Sequence, residues 1–107
     1  LGGRLALVCL DRELMERMNR ADFDSDGLID TLRSLDGIEV VAVLKERFDG
    51  SVKLSMRSKQ DVDVQQIAAS FGGGGHRKAA GASVPMSLRE AAAAVEERVR
   101  AAVEGRA

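Results

Sequence analysis

The sequence predicts an α/β domain: a small mixed β-sheet of about four strands, with a central antiparallel hairpin over 38–58, packed with three or four helices. Two alternating apolar runs flank Asp49-Gly50, the dipeptide preferred in tight hairpin turns. Segments with helical apolar spacing lie on both sides of that pair, and several open on capping residues. A run of four glycines, Gly72 to Gly75, punctuates the second half and leads directly into His76-Arg77-Lys78.

Leu5 to Leu10 is a short continuous apolar run and predicts a buried strand that includes Cys9. Asp11 is placed to cap a helix with Leu14, Met18 and Ala21 on one face. From Asp22 to Arg33 the chain matches much of an EF-hand loop, with acids at Asp22, Asp24 and Asp26, then Gly27, Ile29 and Asp30. The position of the bidentate glutamate holds Arg33, which removes ligand oxygens and repels a cation. An acidic turn opening a helix, with Leu28, Ile29, Leu32 and Leu35 packed inward, is the simpler expectation.

Ile38, Val40, Ala42 and Leu44 alternate with Glu39, Val41, Val43 and Lys45, and two apolar faces suit a central strand. After the turn, Val52, Leu54 and Met56 face the core, while Ser51, Lys53, Ser55 and Arg57 share the other face. Asp63 and Gln66 form a capping-box pattern ahead of Val64, Ile67, Ala68 and Phe71, a helix that stops at the glycines. His76 to Ala80 is expected to make one helical turn, and Gly81 to Val84 a short strand ended by Pro85. Ser87 and Glu90 open a last helix that buries Leu88, Ala92, Val95, Val99 and Val103 and leaves Glu96, Glu97, Arg98 and Arg100 in solvent.

The 107 residues suit one domain, 1–107, and 45% hydrophobic with 31% charged residues is ordinary for a soluble chain. A net charge of −1 excludes a uniformly basic nucleic-acid binder, so any anion site must be local. A lone cysteine cannot form an internal disulfide, which points to a reducing, cytoplasmic setting. No apolar run approaches the roughly 18 residues of a membrane span, and no export signal is visible. The chain begins at Leu1 rather than Met, which suggests a piece of a longer protein.

The charges are segregated. No acid occurs from Gly50 to Gln60, which holds Lys53, Arg57 and Lys59, nor between Asp63 and Glu90, which holds His76, Arg77, Lys78 and Arg89. If strand and glycine run meet in space, Arg57 can grip a phosphate bidentately while backbone amides of the run supply directional donors. The competing expectation is a mobile turn with a structural histidine and an ordinary solvated strand face. No Gly-Lys-Ser/Thr ending, no G-x-G-x-x-G after a strand, and no His/Cys set of zinc-site spacing accompanies these residues. The chain has recognition chemistry without a visible catalytic engine.

Arg57-Ser58-Lys59 at a strand end, the helix to Phe71, and Gly72-Gly73-Gly74-Gly75-His76-Arg77-Lys78-Ala79-Ala80-Gly81 together resemble the DHH-associated domain of the DHH phosphoesterase superfamily. Asp26-Gly27-Leu28-Ile29-Asp30 and Gly37-Ile38-Glu39-Val40 extend the resemblance over nearly the whole chain. Within the superfamily it is most similar to the oligoribonuclease and pAp-phosphatase (NrnA-like) branch, and less so to RecJ exonucleases.

The resemblance implies a hydrolase whose separate N-terminal domain carries an Asp-His-His motif and binds Mn²⁺ or Mg²⁺ to activate water. The domain present here would close the cleft and hold the nucleotide's phosphate or terminal base. It implies that Gly73, Gly74, Gly75 and His76 line that cleft, with Arg57 and Ser58 beside them and Arg77 and Lys78 in the same loop. No catalytic residue, metal or cofactor is expected in this chain, and alone it is expected to be inactive. Expected partners are a short oligonucleotide or nucleotide phosphate and the N-terminal catalytic domain of the same parent, with a homodimer of the parent left open. The alternative expectation is a stand-alone nucleic-acid-binding module or, less favoured, a calcium-binding one.

Overall fold

The computed structural model describes residues 4–20, 25–59 and 62–105. Their elements run β1 (Leu5–Leu10), α1 (Arg12–Arg20), α2 (Ser25–Arg33), β2 (Val40–Glu46), β3 (Val52–Ser58), α3 (Val64–Ser70), β4 (Gly74–His76), β5 (Ala79–Val84) and α4 (Leu88–Gly105). The strands make one mixed five-stranded sheet in the order β1-β2-β3-β5-β4. β1 lies parallel to β2, and every other neighbouring pair is antiparallel.

Alternation along the strands sorts side chains to two faces. Val40, Ala42, Leu44, Val52, Leu54, Met56, Ala80 and Val84 join Val64, Ile67, Ala68, Ala91, Val95, Val99 and Val103 in the main core. This face is covered by α3 and α4. On the reverse, Leu10, Val41 and Val43 pack with Ile29, Met15, Met18 and Leu32 of α1 and α2. The helices of the second layer therefore shelter β1 and β2, and β2 is buried on both sides, as its two apolar faces require.

Local chemistry explains the element ends. The Asp11 carboxylate accepts from the Leu14 amide at 2.8 Å and starts α1. Asp63 caps α3 through the amides of Gln65 and Gln66. Ser87 caps α4, its Oγ accepting from the Glu90 amide at 3.2 Å while the hydroxyl donates to Glu90 Oε1 at 2.9 Å, so Glu90 braces the capping side chain rather than the Ser87 amide.

The differences from expectation are local. The fifth strand, β4, is made of the glycine run itself, which has neither side-chain alternation nor strand propensity to announce it. The expected helical turn at His76–Ala80 is instead a two-residue turn, Arg77-Lys78, between His76 and its partner Ala79. The β2–β3 loop contains Phe48 as well as Asp49-Gly50: the Gly50 amide donates to Arg47 O at 3.1 Å and the Arg47 amide to Ser51 O at 2.9 Å. Gly50 has φ +88°, so the loop is a three-residue turn rather than the two-residue one. Leu35 stays half exposed. Cys9 is exposed near the end of edge strand β1, where partial desolvation pushes its thiol pKa up. Ala21 of the first predicted helix and Asp22, Phe23 and Asp24 of the EF-hand-like stretch lie outside the described residues. Within reach, Arg33 pairs with Asp30 at 3.3 Å, so the cation at the glutamate position holds another of the loop's acids.

Candidate functional site: the open sheet face

Among the described residues α1 and α2 cover only one half of the reverse face, and the other half, over β3, β5 and β4, is left open. Register identifies what stands on it. In an antiparallel sheet, directly paired residues point to the same side. Val41 pairs with Arg57, Arg57 with Ala79, and Ala79 with His76, so one rung carries Arg57 and His76 with a small alanine between them. The next rung carries Ser55, Gly81 and Gly74, and the third Lys53 and Ser83. Two strand spacings separate the Arg57 and His76 backbones, about 10 Å.

The result is a shallow depression of about 460 Å³ whose lining includes Arg47, Lys53, Ser55, Arg57, Gly74 and Gly81. No acidic side chain lines it among the described residues. Arg57 is partly buried and spends one guanidinium donor on the Met56 carbonyl at 2.8 Å, which fixes the head group while leaving its fork of further donors. Arg47 reaches across to donate to Ser83 Oγ at 2.9 Å. His76 is exposed at the outer strand.

The glycines divide into structural and unexplained. Gly72 sits at φ +85° just past the Phe71 cap; its amide donates to Ala69 O and that of Gly73 to Ala68 O, both at 2.9 Å, a Schellman ending. A Cβ at Gly73 would collide with Gly81 O, and one at Gly75 would meet Ala79 O at 2.6 Å. Gly75 also has φ +141°. These residues let β4 lie close against β5. Gly74 differs: its backbone is unstrained and a Cβ there would meet nothing within 4 Å. It faces the open depression, and nothing in the fold requires it to lack a side chain.

The sequence-predicted residues are therefore only partly brought together. Arg57, Gly74 and His76 share the open face. Gly73 and Gly75 fall on the opposite face by alternation, although Gly75, without a side chain, still lines the depression through its backbone. Ser58 is 2% exposed on that same covered side, its amide donating to Lys78 O at 3.0 Å and its hydroxyl reaching Arg77 O at 3.4 Å, so it braces the turn from behind. Arg77 and Lys78 form the exposed turn beyond the rung, with Arg77 4.0 Å from Asp63. The expected cradle of loop amides is replaced by a strand. The Gly72 and Gly73 amides are bonded to α3, and pairing turns those of Gly74 and His76 toward β5. On the sheet face itself the donors on offer are side chains. Arg47 and Ser83 were not singled out from sequence, whereas period-2 alternation already put Ser55 beside Arg57.

No group of three or more His, Cys, Asp or Glu able to hold a metal ion occurs among the described residues. No helix of theirs is long and apolar enough to cross a membrane.

Residues 17–102 match the family model of the DHHA1 domain. The bifunctional oligoribonuclease and PAP phosphatase NrnA of Thermus thermophilus is 42% identical over 81 residues, 75% of this chain and 25% of that one. The cyclic-di-AMP phosphodiesterase GdpP of Geobacillus thermodenitrificans is 39% identical over 77 residues, 71% of this chain and 12% of that one. Among solved structures, an exopolyphosphatase-related protein from Bacteroides fragilis superposes with a TM-score of 0.76 at 26% identity, over 90% of this chain and 28% of that one. The chain spans about a quarter or less of the length of the curated relatives it matches.

Proposed function

Since the chain belongs to the DHHA1 domain family of the DHH phosphoesterases, we propose that its open sheet face binds the phosphate of a nucleotide or short oligonucleotide and presents it to a hydrolytic domain of a longer parent. The observation that carries this reading is the rung Arg57–Ala79–His76: Arg57 and the small Ala79 line a depression without acids, and His76 stands on the same face of the outer strand. Arg57 supplies a charge-assisted, bidentate grip and His76 a ring N–H from the far side. Gly74 and Gly81 keep the floor low enough for a phosphate or sugar edge to lie on it.

Mn²⁺ or Mg²⁺, expected for such a parent, finds no ligand set among the described residues, and no step of the binding reading passes through one. The metal and the water it activates belong, in this reading, to the catalytic domain. Relatives named for oligoribonuclease, PAP phosphatase and cyclic-di-AMP phosphodiesterase activity support a nucleotide as the class of ligand.

Calorimetric titration with pAp or a diribonucleotide tests the site. Binding should weaken with salt, since local charge carries it, and Arg57→Ala should reduce affinity roughly tenfold or more. Affinity unchanged by Arg57→Ala would remove the open face from consideration. The 107-residue chain alone should not turn over a dinucleotide in the presence of Mn²⁺.

A further inference from the structure

The tip of the β2–β3 hairpin carries an aromatic side chain for which the fold has no use. Phe48 is 74% exposed, the most exposed of the large hydrophobic residues described. Its loop is nevertheless well held, by the Gly50 and Arg47 amide bonds and by the Asp49 carboxylate, which accepts from the Ser51 amide at 2.9 Å. Beside Phe48 lies a second depression of about 300 Å³, lined by Arg12, Met15, Glu16, Glu46, Arg47 and Lys53 among others. One of its acids is engaged, with Glu46 Oε1 accepting from the Arg12 amide at 2.9 Å. Glu16 stands on the α1 side. Arg47 and Lys53 also line the depression over β3 and β5, so the two hollows adjoin across these two side chains.

We infer that Phe48 is a base-stacking platform, which extends the site from a single nucleotide to a single-stranded oligonucleotide running along the sheet from Arg57 to the hairpin tip. The inference rests on the phosphate reading of the open face. An aromatic face stacks on any base, and cations interleaved with it track the backbone. Arg47 and Lys53 stand between the two ends and are the cations such a backbone would pass. The excess of Arg12, Lys45, Arg47 and Lys53 over Glu16 and Glu46, and the adjacency to the acid-free open face, both favour this occupant over a protein partner. From Arg57 to Ser51, opposite Arg47, six residues of extended chain cover roughly 20 Å. At the 3.4 Å spacing of stacked bases this corresponds to about four to six nucleotides, so a dinucleotide on the Arg57 rung does not reach Phe48.

Fluorescence anisotropy on the full chain, with end-labelled oligoadenylates from dinucleotide to hexanucleotide and divalent metal withheld, tests this directly. The hexanucleotide should bind roughly 5- to 50-fold more tightly than the dinucleotide. Phe48→Ala should erase that gain and leave dinucleotide affinity unchanged, Phe48→Tyr should retain it, and Arg57→Ala should weaken every length. A length dependence that survives Phe48→Ala overturns the platform while leaving the phosphate site standing. Equal losses at all lengths would mean that Phe48 supports the fold or the Arg57 rung, and a change of oligomeric state in sedimentation would assign it to a second copy; either result overturns the platform. Dinucleotide binding indifferent to Arg57→Ala would remove the phosphate site, and the platform with it.

Discussion

The Arg98 guanidinium lies 3.7 Å from the ring centroid of Phe71, joining the last helix to the C-cap of α3. Spacing alone had put Arg98 on the solvated face of α4; the ring of Phe71 draws it inward. Its Nη1 is buried without a hydrogen-bond partner among the described residues. Attraction to the ring therefore works against the desolvation of a donor. Phe71 begins the ending that turns the chain into the glycine strand, so this stack stands behind β4.

Two substitutions separate those contributions. Arg98→Ala loses the stack and opens space beside Phe71, and should destabilise the fold by about 1 kcal/mol. Arg98→Met keeps the apolar cover and removes the unpaired donor, and should change stability by less than about 0.5 kcal/mol. Urea denaturation read by circular dichroism gives both values. A loss for Met as large as that for Ala would mean that charge, not packing, holds Phe71.

The glycines of the run should respond in opposite ways. Gly73→Ala and Gly75→Ala force β4 away from β5, because the added methyl meets backbone, and each should cost about 2 kcal/mol or more. Gly74→Ala should alter stability by less than about 1 kcal/mol, having ordinary φ and open space. It should instead lower nucleotide affinity by raising the floor of the depression. Thermal melts paired with titration calorimetry distinguish the classes.

Ser58 and Arg57 are sequence neighbours on opposite faces of β3. Ser58→Ala should cost roughly 1 kcal/mol of stability, or less given the long 3.4 Å hydroxyl contact, and leave nucleotide affinity within about twofold. Arg57→Ala should do the reverse. Equal losses of affinity in both would place the ligand around the strand end rather than on one face.

Hydrogen bonds from the Ser51 hydroxyl and amide hold the Asp49 carboxyl below its ordinary value of 3.8. A depressed carboxyl contributes stability that is present above that ordinary value and is lost as pH falls through the lower, folded-state one. Ser51→Ala should raise the Asp49 pKa toward ordinary, visible in an NMR titration of the side-chain carboxyl. Asp49 is fully exposed, so the accompanying change in fold stability should be slight.

What the sequence made legible follows period. The two strands of the hairpin, the capped helices α3 and α4 and the both-faces burial of β2 all announce themselves through spacing and capping chemistry. The acid-free stretches around Arg57 and His76 likewise foretold a depression without carboxylates. β4 escaped because glycines carry no alternation, and its existence depends on a close approach to β5 that only tertiary structure reveals. Ser58, which the resemblance set beside Arg57, lies on the covered side, because a strand sends neighbours to opposite faces. The Arg57–His76 rung needed strand order, since it joins residues from β3 and β4 through β5, which stands between them.

The half of the sheet without a second helical layer is reachable from solvent, while its underside is bolted to α3 and α4 by the main core. A guest arriving there meets a surface whose contour was settled when the chain folded. Little ordering remains to be done at contact, so an affinity resting on a few polar groups is not drained by the entropy of assembling them.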